Sequence, residues 1–461
     1  MPSYTRTTFA SLRTQLASRL NDTNKVSTTD AELKIHIWNS LRFWNCLTGE
    51  FRSWNLVNVT NPAPAGVTVP SSVWYDLMDS STMPSSPILP TVEDSDIYSW
   101  LQYALLEPQS GIPLSLLTAQ FEVNDFVEAV QNIRDQFLLK TGIISNVRAL
   151  NVTPNTNPVA LPETVIQARR AYWLPAGGKG NPNPLLRIDE RQIAGWGTDL
   201  LTGAGDPGFF SAGVEPPLRL SLYPAPGNAG QIEVITQESQ ALLSPTASTL
   251  LYVPTDYSAA IYWGALGQLL SMSLEAKDEA RSSYCMDRYQ QFVDLANLSS
   301  PVLAARIGNV TLMVDAVETL DSYTSNWRTV LVNGNPVQPL IVGLSGRNLF
   351  AFPTPAAAQL SLLLVTNAPL PVADADPVQV GDEVVEVILN YAQHTASFKL
   401  GSNEVNETIP LMKSMVELAA LRNAKIRALS SFRDILYGTG VREDQLSPTD
   451  KPNYAATETN G

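Results

Sequence analysis

The chain has 461 residues, 44% hydrophobic and only 16% charged, with 30 basic against 44 acidic side chains and a net charge of −14. That length allows about three domains of ordinary size, and the shortfall of charge against the usual quarter predicts surface that other chains cover. The acid excess argues against a nucleic-acid binder that works by neutralising phosphates, but leaves room for a surface past which DNA slides.

In chain order, residues 8–49 read as a helix pair. Thr8 caps the first helix, with Leu12, Leu16 and Leu20 on one face, and Thr29 or Asp30 caps the second. Leu33, Ile37, Leu41 and Trp44 form one stripe on the second helix. Trp38 and Phe43 lie off that stripe, which predicts a helix contacted on two sides, by its own core and by a partner. Gly49 stops the helix, and Phe51 to Thr60 reads as strand. Val67 to Met78 reads as further strand beyond a Pro/Gly turn. A helix opens at Asp94-Ser95-Asp96 and runs to Leu106. Another opens at Asn124-Asp125, carries Phe126, Val130, Ile133 and Phe137 on one face, and ends at Gly142.

A second strand-rich stretch starts at Ile143. In it, Ala171 to Leu174 takes the place of Trp74 to Leu77, and Gly177 to Pro184 is a loop. Leu218 to Tyr223 and Gln231 to Thr236, joined by Pro224-Ala225-Pro226-Gly227, read as a hairpin. Asp256 caps a helix with Trp263, Leu266 and Leu270, and the next helix carries Cys285, Tyr289, Phe292 and Ala296. The third stretch repeats this plan, with Asn348 to Pro355 patterned like Arg219 to Pro226. Pro224 and Pro353, Gln231 and Gln359, Thr236 and Thr366, and Asp256 and Asp382 stand 129, 128, 130 and 126 residues apart. A long helix follows from about Asn406. The word Asn-Val-Thr recurs at 58–60, 151–153 and 309–311, and such recurrence signals an internal repeat.

The fold class is therefore α+β: helix pairs alternating with antiparallel β-sandwich-like modules, internally repeated. The expected divisions are a helix pair at 1–49, strand modules with helix pairs at 50–142, 143–300 and 301–440, and an extended docking tail at 441–461. In that tail Tyr454 is the one large apolar anchor after Leu446. Trp38, Phe43 and Tyr454 are the candidate partner-interface residues.

No catalytic chemistry stands out. The two histidines, His36 and His394, and the two cysteines, Cys46 and Cys285, show no metal-ligand spacing. No Gly-x-Ser-x-Gly elbow occurs. Gly177-Gly178-Lys179-Gly180 runs into Asn181-Pro182-Asn183-Pro184, which cannot open the helix a phosphate loop needs. Paired carboxylates such as Asp189-Glu190 leave a glycosidase-like enzyme open as a third reading, behind a carbohydrate- or receptor-binding protein, which strand-rich modules with tryptophans also suit. The expectation is no enzyme and no catalytic residue, metal or cofactor. The N-terminus has no apolar signal core, and no run approaches the ~18 apolar residues that cross a bilayer. Synthesis in the cytoplasm, with no membrane contact, is expected.

The segments Thr8-Phe9-Ala10-Ser11-Leu12-Arg13, Asp30-Ala31-Glu32-Leu33 and Ser40-Leu41-Arg42-Phe43-Trp44-Asn45 resemble the start of tailed-bacteriophage neck proteins, the head-to-tail connectors or adaptors. The resemblance covers roughly residues 8–60 and the general layout beyond. It implies a structural virion protein, assembled in the host cytoplasm, forming a homo-oligomeric ring that is commonly twelvefold. Such a ring joins the portal protein to a tail, tail-tube or nozzle protein and passes DNA without sequence-specific binding. Portal-proximal, stopper and upper-tail positions all fit.

Overall fold

The computed structural model describes residues 7–60, 74–78, 88–106, 120–175, 183–189, 192, 203–213, 218–272, 277–323, 341–352 and 357–438. Their helices are α1 (Phe9–Arg19), α2 (Asp30–Thr48), α3 (Asp94–Leu105), α4 (Val123–Thr141), α5 (Ser258–Ser271), α6 (Glu279–Leu298), α7 (Val317–Tyr323), α8 (Asp382–Ser397), α9 (Ser402–Arg422) and α10 (Ser430–Tyr437). Local chemistry explains their ends. The Thr8 hydroxyl accepts from the Ser11 N–H at 3.3 Å. At α2, Thr29 and Glu32 satisfy each other's backbone N–H in a capping box. Both α2 and α4 stop at a glycine with φ of 56°, Gly49 and Gly142, in the left-handed region where a Cβ is disfavoured.

All helices except α7 bury their apolar faces in one shared cluster, from Phe9 and Leu12 to Phe432 and Ile435. The helix pairs therefore pool into a single core instead of staying with separate modules. The long C-terminal helix expected from Asn406 starts at Ser402 and breaks at Asn423, where a 3-10 segment turns the chain into α10.

The strands are β1 (Arg52–Thr60), β2 (Trp74–Asp76), β3 (Asn146–Val152), β4 (Val159–Ala160), β5 (Val165–Pro175), β6 (Asn183–Arg187), β7 (Ala204–Gly205), β8 (Phe209–Ala212), β9 (Arg219–Tyr223), β10 (Ala225–Pro226), β11 (Gly230–Glu238), β12 (Val302–Ile307), β13 (Val310–Ala316), β14 (Ile341–Ser345), β15 (Asn348–Phe352) and β16 (Ala357–Val365). Apart from the short β7–β10 pair they form two seven-stranded sheets, β3-β11-β5-β6-β8-β9-β4 and β1-β16-β12-β13-β14-β15-β2. Each sheet curls about its own apolar cluster, to which every strand contributes or, for β2, its neighbour Leu77. The class is α+β with mainly antiparallel sheets.

The two sheets share strand order and pairing sense, including one parallel pair each, β6 with β8 and β13 with β14. Single residues correspond as well. Asn151 lies opposite Gln231 in the first sheet, as Asn58 lies opposite Gln359 in the second. In each pair the glutamine donates to the asparagine oxygen, at 3.3 and 3.4 Å. Leu161 N–H donates to Leu218 O as Leu77 N–H donates to Arg347 O. The third Asn-Val-Thr word, at 309–311, falls instead at the β12–β13 turn.

Four expectations change. The strands expected to form a module within 50–142 make no sheet of their own among the described residues: β1 and β2 are the two edges of the sheet built by 302–365. Trp74–Asp76 holds the place of β4, not of the β5 segment Ala171 to Leu174. The hairpin expected through Pro224 is absent, because β9 and β11 sit apart in one curled sheet, and β15 and β16 do the same around Pro353. Asp256 caps no helix. It lies in a buried 3-10 segment ahead of α5 and accepts from Asn45 and from the Ala368 N–H. Asp382 does start α8, as its first residue.

Candidate subunit-contact surface

The outer face of the second sheet is exposed across β1 to β13 among the described residues and carries large apolar side chains there, while at β15 Phe350 is buried against α7 and the first sheet. Strand alternation sends Val57 of β1 inward, where it is fully buried, and Trp54 and Leu56 outward, 47% and 62% exposed. Register places Trp54 beside Leu363, and Leu363 beside Ala304. Arg306, opposite Ser361 and Thr311, holds its guanidinium 4.1 Å from the Trp54 ring centroid, a cation–π contact on the same face. Met313, two residues on from Thr311, is 51% exposed. An apolar stretch of this kind on a folded surface marks a place for another chain. The outer edge of β1, nine residues without proline, has no strand beside it among the described residues. Such an edge offers free backbone groups to a neighbour.

Two of the predicted interface residues lie in or against the helical core. Trp38 is half-buried against the helical core, donates its indole N–H to Pro371 O at 2.8 Å, and has the Lys34 ammonium 4.2 Å from its ring. Phe43 is 1% exposed and stacks on Tyr391 with ring centroids 4.6 Å apart. The second side of α2 is thus covered by α8 of the same chain, which corrects the expected partner contact of Phe43. Tyr454 and the 441–461 tail lie outside the described residues. The signal for Trp54 and Leu56 was present in the sequence, since Trp54, Leu56 and Val57 make a strand apolar on both faces.

Ionisable groups in the helical core are struts. Burial holds His36 down at about 3, and its Nδ1 meets the Thr395 hydroxyl at 3.0 Å. Burial and then Arg288 hold His394 at about 3, between the hydroxyls of Tyr284 and Thr408. Both imidazoles are neutral near pH 7. Glu32 and Lys399 form a buried ion pair at 2.9 Å. Burial pushes the Cys46 and Cys285 thiols well up, away from the reactive thiolate. Among the described residues no group of three or more His, Cys, Asp or Glu could hold a metal, and no helix is long and apolar enough to cross a membrane.

Residues 105–308 match the family model of the SU10 adaptor protein. The chain is similar to phage adaptor proteins. No curated protein matches it. The adaptor match runs from the end of α3 through α4, the whole first sheet, α5, α6 and β12. It supports a structural adaptor and virion component that contacts other virion proteins. The segment that first suggested the likeness, residues 8–60, lies outside the matched stretch.

Proposed function

We propose that the chain is a ring-forming neck protein of a tailed phage that joins the portal to a tail or nozzle protein and lets DNA pass. The observation that carries this reading is the adaptor match across residues 105–308. The exposed face of Trp54, Leu56 and Met313 supports assembly, with a second copy of the chain as its occupant. The net charge of −14 suits a channel that repels phosphate instead of gripping it. The proposed role is structural, without catalysis or cofactor, in a homo-oligomer assembled in the host cytoplasm, with a dodecamer as the form that the resemblance implies.

The size of the chain has an account within the same reading. Each sheet follows a helix pair, α3–α4 or α1–α2, and precedes another, α5–α6 or α8–α9. Strand order, pairing sense and the two Asn–Gln bonds support a duplicated adaptor unit, one copy inserted into the other after β2. Negative-stain imaging and mass measurement of the purified chain, alone and with portal complexes, test the function. Closed rings with a central channel are expected. A chain that stays monomeric in both settings overturns the reading.

A further inference from the structure

A cavity of about 250 Å³ lies where the helical core meets the second sheet. Four basic residues line it, Arg52, Arg347, Arg422 and Lys425, against one carboxylate, Asp256. That is the reverse of the chain's overall balance. Most of these groups are committed. Asp256 accepts from Asn45 Nδ2 at 2.6 Å and from the Ala368 N–H at 3.1 Å. Arg422 pairs with Glu50 and Glu383, each at 2.6 Å. Arg52 donates Nε to the Gly49 carbonyl at 2.5 Å.

Arg347 differs. It sits on the turn between β14 and β15, is only 8% exposed, and its Nε has no hydrogen-bond partner. Asp256 and Asp76 act on it through space. A buried guanidinium is costly to desolvate, and a further acidic group brought into the cavity it lines would offset part of that cost. Lys425, exposed and without an ion pair among the described residues, lies at the mouth. Ile88, Pro254, Leu295, Leu298 and Val365 supply apolar wall. An inorganic anion would leave that wall wet, whereas an acidic side chain flanked by apolar ones would cover it.

We propose that this cavity receives a Glu or Asp side chain on an extended segment of a second protein chain, with Arg347 as the deep donor and Lys425 at the entrance. Which chain supplies the segment rests on the adaptor reading; the site itself does not, and its test needs no ring. Titration calorimetry on the full chain uses three probes: acetyl-Leu-Glu-Leu-amide, its Gln counterpart and inorganic phosphate. The Glu peptide is expected to bind saturably and at least tenfold more tightly than either of the others, because a charge-assisted hydrogen bond in a desolvated site outweighs a neutral one. Arg347→Met should lose that preference while the protein still unfolds cooperatively in urea, at a midpoint below the parent's, since Asp256 and Asp76 lose a charge that faces them. Lys425→Gln, at the exposed mouth, should weaken binding severalfold and reduce its salt dependence without touching the fold. No saturable binding of the Glu peptide, equal binding of Glu and Gln peptides, tighter binding of phosphate, or an Arg347→Met protein that binds normally would each overturn the proposal.

Discussion

Asp256→Asn is the sharpest test of how the helical core is tied to the second sheet. Asn45, at the end of α2, donates to the Asp256 carboxylate at 2.6 Å and to Thr366 O at 2.7 Å, and accepts from the Phe51 N–H at 3.1 Å. Burial pushes Asp256 up from 3.8 to about 6, against the opposing pull of Asn45, Ala368, Arg42 and Arg347. That difference corresponds to roughly 3 kcal/mol between the two protonation states. Because the folded-state pKa of the acid is raised, its stability contribution is fully present below pH 3.8 and is lost as pH rises through about 6. Asparagine has the same shape and no such titration, but loses one accepted hydrogen bond, a pH-independent cost of about 1–2 kcal/mol. The variant should therefore be less stable than the parent at pH 4 and more stable by about 1–2 kcal/mol at pH 7.5. Urea unfolding of both proteins across that range, followed by tryptophan fluorescence, measures the difference, in which all other titrations cancel. A difference that stays constant from pH 4 to 7.5 would refute the assignment of Asp256 as a buried, costly carboxylate.

Further outcomes are expected. His36 and His394 are held at about 3, so the unfolded chain takes up their protons first and stability falls as pH drops below 6.5. That fall is about 1.4 kcal/mol per pH unit for each histidine, and His36→Asn with His394→Asn should visibly flatten the acid limb of a urea-midpoint profile. Gly49→Ala should cost about 1 kcal/mol for left-handed backbone alone, since its new Cβ meets only the Val365 side chain at 3.5 Å. Gly346→Ala, at the same φ, would bring its Cβ to 2.7 Å from the Gly142 carbonyl oxygen and 2.8 Å from that of Ile143, backbone that cannot swing aside, so it should cost clearly more; equal losses in urea unfolding would defeat the space argument. Trp54→Lys with Leu56→Lys should leave the thermal midpoint within a few degrees and abolish ring assembly in mass measurements, and intact rings would show that this face is not the contact.

The sequence by itself determined the local elements. Thr8, Thr29 with Glu32, Gly49 and Gly142 mark helix ends by chemistry confined to one turn, and the stripe from Leu33 to Trp44 is wholly buried as its spacing requires. Two of the three Asn-Val-Thr words fell at corresponding places because each asparagine meets a glutamine across a strand pair. Only the tertiary structure decided which strands meet. Nothing near Phe51–Thr60 says that its partner is Ala357–Val365, or that Leu218–Tyr223 turns away from the strand that follows it. The candidate sites depended on the same decision. The Trp54 face exists because β1 adds to the edge of a distant sheet. Arg347 becomes a buried group because its turn is held against the residues that follow α4, with Ser145 bonded to Ser345 and Asn348 on either side of it, and against Leu77. Local signals act through hydrogen bonds a few residues apart. Strand partnership is settled by burial of apolar faces, and the entropy of closing a loop grows so slowly with its length that a partner some 300 residues away is little harder to reach than a near one.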